Sequence, residues 1–236
     1  MISVLLKGGI GNQLFQIAAL LAVAIENKSS FAIDPNTWPP RGGADPVDGV
    51  YIPEASHPST YIPTVYRNLV IKDLSKHPFD SLYQDPGFLY TPISYSPGMM
   101  LSGYFQSEKY FKNVEPVIRK VFAPTSDIRE SFEDLRTQIA APGDIVSVHV
   151  RRGMFVVNSH FHGTCPLEYY HKAFDEFPED TTFLIFSDDI PWCQKEFKGK
   201  RFHFSSNSTD YEDLYHMSFC DHHITSNSTF GWWGAW

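Results

Sequence analysis

Two adjacent arginines, Arg151 and Arg152, close the apolar run Ile145-Val146-Ser147-Val148-His149-Val150 and are followed by Gly153. A guanidinium keeps its charge when partly buried, and its planar fork matches phosphate oxygens. The run ahead of the pair is rich in β-branched residues and reads as a strand buried on both faces, as in a parallel sheet. Ligands of open α/β sheets bind beyond the carboxyl ends of such strands, so two cations stand where a small anion would sit. One reading of the pair is a diphosphate clamp. The other is a strand end whose arginines only form surface ion pairs, and the flanking sequence bears on the choice.

Two further strand ends carry polar groups of the right kind. Phe183 to Phe186 reads as a strand ending in Ser187-Asp188-Asp189. Carboxylates there could accept from a guanine edge or from ribose hydroxyls, or could cap the helix that starts at Pro191-Trp192. A short strand from His222 to Thr225 feeds Ser226-Asn227-Ser228-Thr229-Phe230 and then an aromatic helix, Gly231 to Trp236. Hydroxyls and backbone N–H groups at a helix start form an anion site without a metal. Arg151-Arg152, Asp188 and Ser226 to Thr229 would then surround one nucleotide diphosphate. His160 and His162 form a His-x-His with no third ligand placed by the sequence, so no metal site is expected.

The elements that must hold these residues alternate in the α/β manner. Ile2 to Leu6 is a strand, Lys7 to Asn12 a glycine loop, and Gln13 to Glu26 a largely apolar helix. A second strand, Phe31 to Ile33, ends in Asp34, near where a dinucleotide fold carries its ribose-binding acid. The fingerprint fails, however, because its third glycine position falls on Leu14, and no P-loop occurs. What survives is a close backbone approach at Gly9 and Gly11, with amide hydrogen bonds from Asn12 and Gln13 at the helix start. A glycine turn that only packs helix on sheet is the alternative. Residues 35–97 hold 11 of the 17 prolines, which denies long helices and central strands there. Ser107 is placed to cap a helix with Glu108 in its first turn, and Ser126 opens another that stops at Ala141-Pro142-Gly143. That break sets the expected domains at 1–141 and 142–236.

A net charge of −8 excludes the basic field that non-specific nucleic-acid binding needs, and a local cationic clamp in an acidic chain points to a small anion. Three dispersed cysteines suggest neither a disulfide framework nor a zinc site. The longest apolar run, Ile17 to Ile25, is too short for a transmembrane segment, and no secretory signal is recognisable, so a cytoplasmic location is the default.

Four blocks together resemble one family: Gly9-Ile10-Gly11-Asn12-Gln13-Leu14-Phe15-Gln16, Gly103 to Phe111, His149-Val150-Arg151-Arg152-Gly153, and Ser226-Asn227-Ser228-Thr229-Phe230-Gly231-Trp232-Trp233. They occur in the order found in the α-1,2-fucosyltransferases, glycosyltransferase family 11. The resemblance implies a GT-B-like fold, with two Rossmann-type α/β domains facing a cleft, an N-terminal acceptor-side domain and a C-terminal GDP-sugar-binding domain. It implies GDP-fucose as donor, a galactose-containing glycan as acceptor, and inverting chemistry without a metal or other cofactor. Arg151 and Arg152 match the family's donor-phosphate arginines and are expected to be catalytic together with His149 of the same block. Ser226 to Thr229 match its donor loop, and Gly9 to Gln13 match its N-terminal motif facing the cleft, where Gly9, Gly11, Asn12 and Gln13 are expected to bind the donor along with Asp188. For the base that takes the acceptor's proton, His149, Asp34 and Asp188 are all conceivable. The chain departs from the pattern at Met154, where the family usually has Asp, and at Trp236, where members continue, so a shortened C-terminal domain is expected. A GDP-sugar-binding protein that no longer catalyses is the alternative that these departures raise.

Overall fold

The computed structural model describes residues 1–36, 56–87, 89–139, 143–157 and 163–236. By contacts the chain divides into two compact units, Met1–Ala123 and Pro124–Trp236.

The first unit is built on a parallel sheet of β1 (Ser3–Val4), β2 (Ser81–Gln84) and β3 (Met99–Ser102) in the order β1-β3-β2. Helix α1 (Ile10–Glu26) is buried from Ile10 to Ala24 apart from Asn12. Its two buried glutamines are tolerated because each amide is satisfied. Gln16 accepts from the Lys7 backbone N–H at 2.9 Å and donates to the Lys7 carbonyl at 3.0 Å, so its amide bonds the backbone beyond β1. The expected strand at Phe31 to Ile33 is reduced to two isolated parallel bridges, Ile2 to Phe31 and Ile33 to Ile71. Ser107 does cap, accepting from the Lys109 N–H at 3.3 Å, but the element it caps is a 3-10 turn, Glu108–Tyr110, ahead of α2 (Glu115–Val121). In the proline-rich region Tyr61 and Tyr66 are core residues packed edge to face, while Leu82, Leu89 and Tyr90 are exposed.

The second unit begins with α3 (Ser126–Gln138), then β4 (Ile145–Val150), α4 (Gly153–Val157), α5 (Leu167–Asp175), β5 (Thr182–Ser187) and α6 (Ile190–Glu196). It ends with β6 (Phe202–Phe204), α7 (Asp210–Phe219), β7 (His222–Ile224) and α8 (Thr229–Ala235). Its sheet is wholly parallel in the order β6-β5-β4-β7, and every residue of β4 is buried, as the unbroken apolar run requires. Aromatic rings fill one face: Phe174 lies 4.7 Å from Phe183 and 5.2 Å from Phe197 between centroids. The break between the units falls ahead of Pro142-Gly143 because α3 joins α7, with Phe132 5.4 Å from both His216 and Phe219. Among the described residues no helix is long and apolar enough to cross a membrane.

Candidate functional site

The second sheet contains a switch in direction. From β4 the chain moves outward through β5 to β6, then returns to lay β7 on the opposite flank of β4. The order thus reverses between β4 and β7, and the edge beyond the carboxyl ends of two such strands is the usual ligand position in such sheets. Arg151 and Arg152 leave β4 there, and Thr225 and Ser226 leave β7.

Each arginine is held at one corner by a carboxylate from the end of β5. Asp188 accepts the Arg152 backbone N–H at 2.8 Å and pairs through its other oxygen with Arg151 Nη1 at 2.9 Å. Asp189 accepts from Arg152 Nε at 3.1 Å and caps α6 by accepting the Trp192 N–H at 3.2 Å. The Arg152 guanidinium lies 3.9 Å from the Trp192 ring centroid, and that of Arg151 lies 5.3 Å from Phe155. Each guanidinium spends one N–H in this way and has no other protein acceptor among the described residues. Both side chains are partly buried, 35% and 22% exposed. The pair is charge-balanced by its carboxylates, so what it offers is a set of oriented donors fixed before any ligand arrives.

Gly153 is the condition for this arrangement. A Cβ there would stand 2.3 Å from the Asp188 oxygen that holds Arg151. The side chain of Met154 lies outside the described residues, as do His160 and His162.

The side chains of the hydroxyl-rich stretch bond within the second unit. Ser226 is buried and bonds His149 Nδ1 at 2.8 Å; Asn227 donates to the Gly163 carbonyl at 2.7 Å; Ser228 caps α8 by accepting the Phe230 N–H at 3.3 Å; and Thr229 opens that helix. These side chains build the loop. His149 is 5% exposed, and burial first, with the Arg151 charge second, holds its pKa down at about 3. With Nδ1 on Ser226 and the ring buried, His149 ties the loop after β7 to the end of β4. Gly231 admits it: a Cβ there would meet His149 Nδ1 at 2.6 Å.

The first unit corrects the reading of the glycine loop. The left-handed residue is Gly8 (φ 74°), while a Cβ on Gly9 would meet nothing, and Gly11 lies buried inside α1. Gln13 is wholly buried, donating to the carbonyls of Gly8 and Ser56 and accepting from Tyr66. Its amide thus joins α1 to the Gly8 turn, to Ser56 and to Tyr66. Asn12 accepts from Gln106 at 2.8 Å. Asp34, one conceivable base, is buried and accepts the backbone N–H groups of Leu74 and Asn36. Asp188 is likewise committed, to the arginines.

Two features went unread in the sequence. Trp192, visible only as a helix-start residue, provides the face on which Arg152 rests. Asp213, on α7, accepts from Ser205 at 2.5 Å and Asn207 at 2.9 Å, just past β6, and burial raises its pKa to about 6. Asn207 also meets His216 Nδ1 at 3.0 Å, whose Nε2 lies 2.9 Å from Ser131.

Residues 52–236 match the sequence model described as Glycosyl transferase family 11. The chain is 31% identical to an Escherichia coli alpha-1,2-colitosyltransferase, over 98% of this chain and 85% of that protein. It is 26% identical to human galactoside alpha-(1,2)-fucosyltransferase 1, over 98% of this chain but 63% of the human one. In structure it resembles the fucosyltransferase NodZ from Bradyrhizobium, with a TM-score of 0.54 at 14% identity over 99% of this chain and 90% of that one. The NodZ alpha-1,6-fucosyltransferase soaked with GDP-fucose gives a TM-score of 0.55 at 13% identity, over 99% and 91%. The likeness fixes the fold as GT-B-like, with two α/β units each on a parallel sheet, and the sequence matches fix the ancestry: this chain belongs to glycosyltransferase family 11.

Proposed function

We propose that the protein transfers L-fucose from GDP-fucose to a hydroxyl of a galactose-containing glycan, with inversion and without a metal ion. The observation that carries this reading is the arginine pair, each group clamped at one N–H and holding its remaining donors ready at the switch point of the second sheet. In the reaction the bond from the sugar's anomeric carbon to the diphosphate oxygen breaks as the acceptor oxygen attacks from the opposite face. Negative charge grows on the departing diphosphate while the sugar becomes cationic. Donors fixed at the diphosphate stabilise that developing charge more than the ground state, which is what lowers a barrier. The second unit is thus assigned to the nucleotide sugar and the first to the acceptor, with Ser226 to Thr229 shaping the donor loop. None of His149, Asp34 and Asp188 is assigned as the base.

Calorimetric titration with GDP and GDP-fucose, with and without chelator, followed by GDP release in the presence of a β-galactoside, tests the reading. Chelator-insensitive binding and acceptor-dependent release are expected. Binding without release would instead identify a GDP-sugar-binding protein, the reading that Met154 in place of an acid favours. Since one relative is named for colitosyl transfer, the product is to be identified by mass as the fucosylated glycan.

A further inference from the structure

Lys7 lies in the link between β1 and α1, at the carboxyl edge of the first sheet, and is only 7% exposed. Gln16 bonds its backbone on both sides, which fixes where the side chain starts. The ammonium lies 4.5 Å from the centroid of the Tyr104 ring. Among the described residues no carboxylate pairs with it and no acceptor bonds it. The stem is buried while the ammonium tip still reaches solvent, so its three donors are held beside the ring face and open to a ligand.

The neighbouring turn is built to bring polar groups to the same edge. After β3 the backbone passes through Gly103 (φ 152°) and Phe105 (φ 51°), a left-handed conformation that a bulky residue rarely adopts. It is held there by Asp85, which accepts the Phe105 N–H at 3.0 Å and donates its own N–H to the Ser102 carbonyl at 2.7 Å. The turn sets Tyr104 against Lys7 and the Gln106 amide against Asn12. A strained turn, an aromatic face, two amides and a cation with no counter-ion thus meet at one strand edge.

We propose that Lys7 anchors an oxyanion subsite on the first unit, taking a negatively charged oxygen group carried on a sugar. Resting on the assignment of this unit to the acceptor, the group is the carboxylate of an acidic sugar in the glycan; the same chemistry would accept a phosphate of the nucleotide sugar. Full-length protein with 13Cε,15Nζ-labelled lysines, its Lys7 signal assigned by loss in Lys7→Met, is titrated with glucuronate, with GDP and with methyl β-galactoside. The Lys7 signal is expected to shift saturably with glucuronate and not with the neutral galactoside, and Lys7→Met to weaken glucuronate binding about tenfold. A shift with GDP alone keeps the subsite and makes the donor phosphate its ligand. No shift with either anion overturns the proposal, and this readout on the wild-type chain holds whether or not the variant folds. GDP binding measured in parallel separates the two readings: GDP bound with Lys7 silent sinks only the subsite. Lys7 responsive to glucuronate with no GDP bound sinks only the fucosyltransfer reading.

Discussion

Gly153→Ala sets two physical expectations against each other. Gly153 opens α4 with an ordinary backbone conformation, so helix propensity alone favours alanine by up to about 1 kcal/mol. The site predicts the opposite. The new Cβ would stand 2.3 Å from Asp188 Oδ2 and 3.2 Å from its Cγ, so the carboxylate must retreat by roughly 1 Å to reach ordinary contact. That oxygen is the one paired with Arg151 at 2.9 Å, and its partner oxygen holds the Arg152 N–H at 2.8 Å. A hydrogen bond to a charged group is worth about 1.5–3 kcal/mol, and partial exposure brings the pair here nearer to about 1 kcal/mol each. Stability should therefore change little, the loss and the helix gain offsetting. Turnover should not be spared, because a displaced donor to developing charge costs a good part of the roughly 2–4 kcal/mol that its removal would. The expected fall in kcat/KM for GDP release is about 10- to 100-fold. Gly143→Ala, where a Cβ meets nothing, is the neutral control. If alanine acts through Asp188, it should add little in an Asp188→Ala background, a coupling that a double-mutant cycle reads directly. Full activity in Gly153→Ala, or additive losses in the double variant, would refute the clamp as described.

Arg151→Ala and Arg152→Ala should each lower kcat/KM by about 2–4 kcal/mol, measured as GDP release, with thermal unfolding little moved. Gly231→Ala should destabilise the second unit by about 1–3 kcal/mol in urea unfolding, since the buried His149 ring has no room to yield. One buried and one half-buried group give opposite pH slopes. His149, its pKa lowered to about 3, costs stability as pH falls below about 6.5, because only the unfolded chain then takes up its proton. Asp213, its pKa raised to about 6, is better tolerated protonated, so its contribution is fully present below about 4 and is lost as pH rises through 6. Asp213→Asn keeps an oxygen for Ser205 and Asn207 but removes the charge. It should be more stable than wild type by about 2 kcal/mol at pH 7.5 and no more stable near pH 4. Equal stability at both pH values would show that Asp213 ionises freely in the folded chain.

The sequence carried the frame of the site better than its contacts, for a reason that lies in the range of each signal. The β4 run is six buried residues that suit only a strand covered on both faces, so its parallel neighbours and the place of Arg151 and Arg152 at the carboxyl edge of the sheet can be read from local pattern. Asp189 was legible as a cap because a cap is a three-residue relation, and the Trp192 N–H finds it. What Asp188 holds was not, since its partners lie 36 and 37 residues away and nothing local distinguishes an arginine clamp from a ribose ligand. The same limit hid what Gln13, Ser226 and Asn227 bond within the fold. Polar side chains beside a presumed ligand site look like ligands until a buried carbonyl or ring nitrogen elsewhere in the chain is seen to need them, as Ser56, His149 and Gly163 do. Two glycines, Gly153 and Gly231, record those distant needs in the sequence itself, because each marks a side chain from another element pressed to within 3 Å of where a Cβ would stand. A glycine next to a charged motif, with no turn to require it, is therefore a sign that something is being held there, and here what it admits are the carboxylate and the imidazole that fix the arginine pair and its loop.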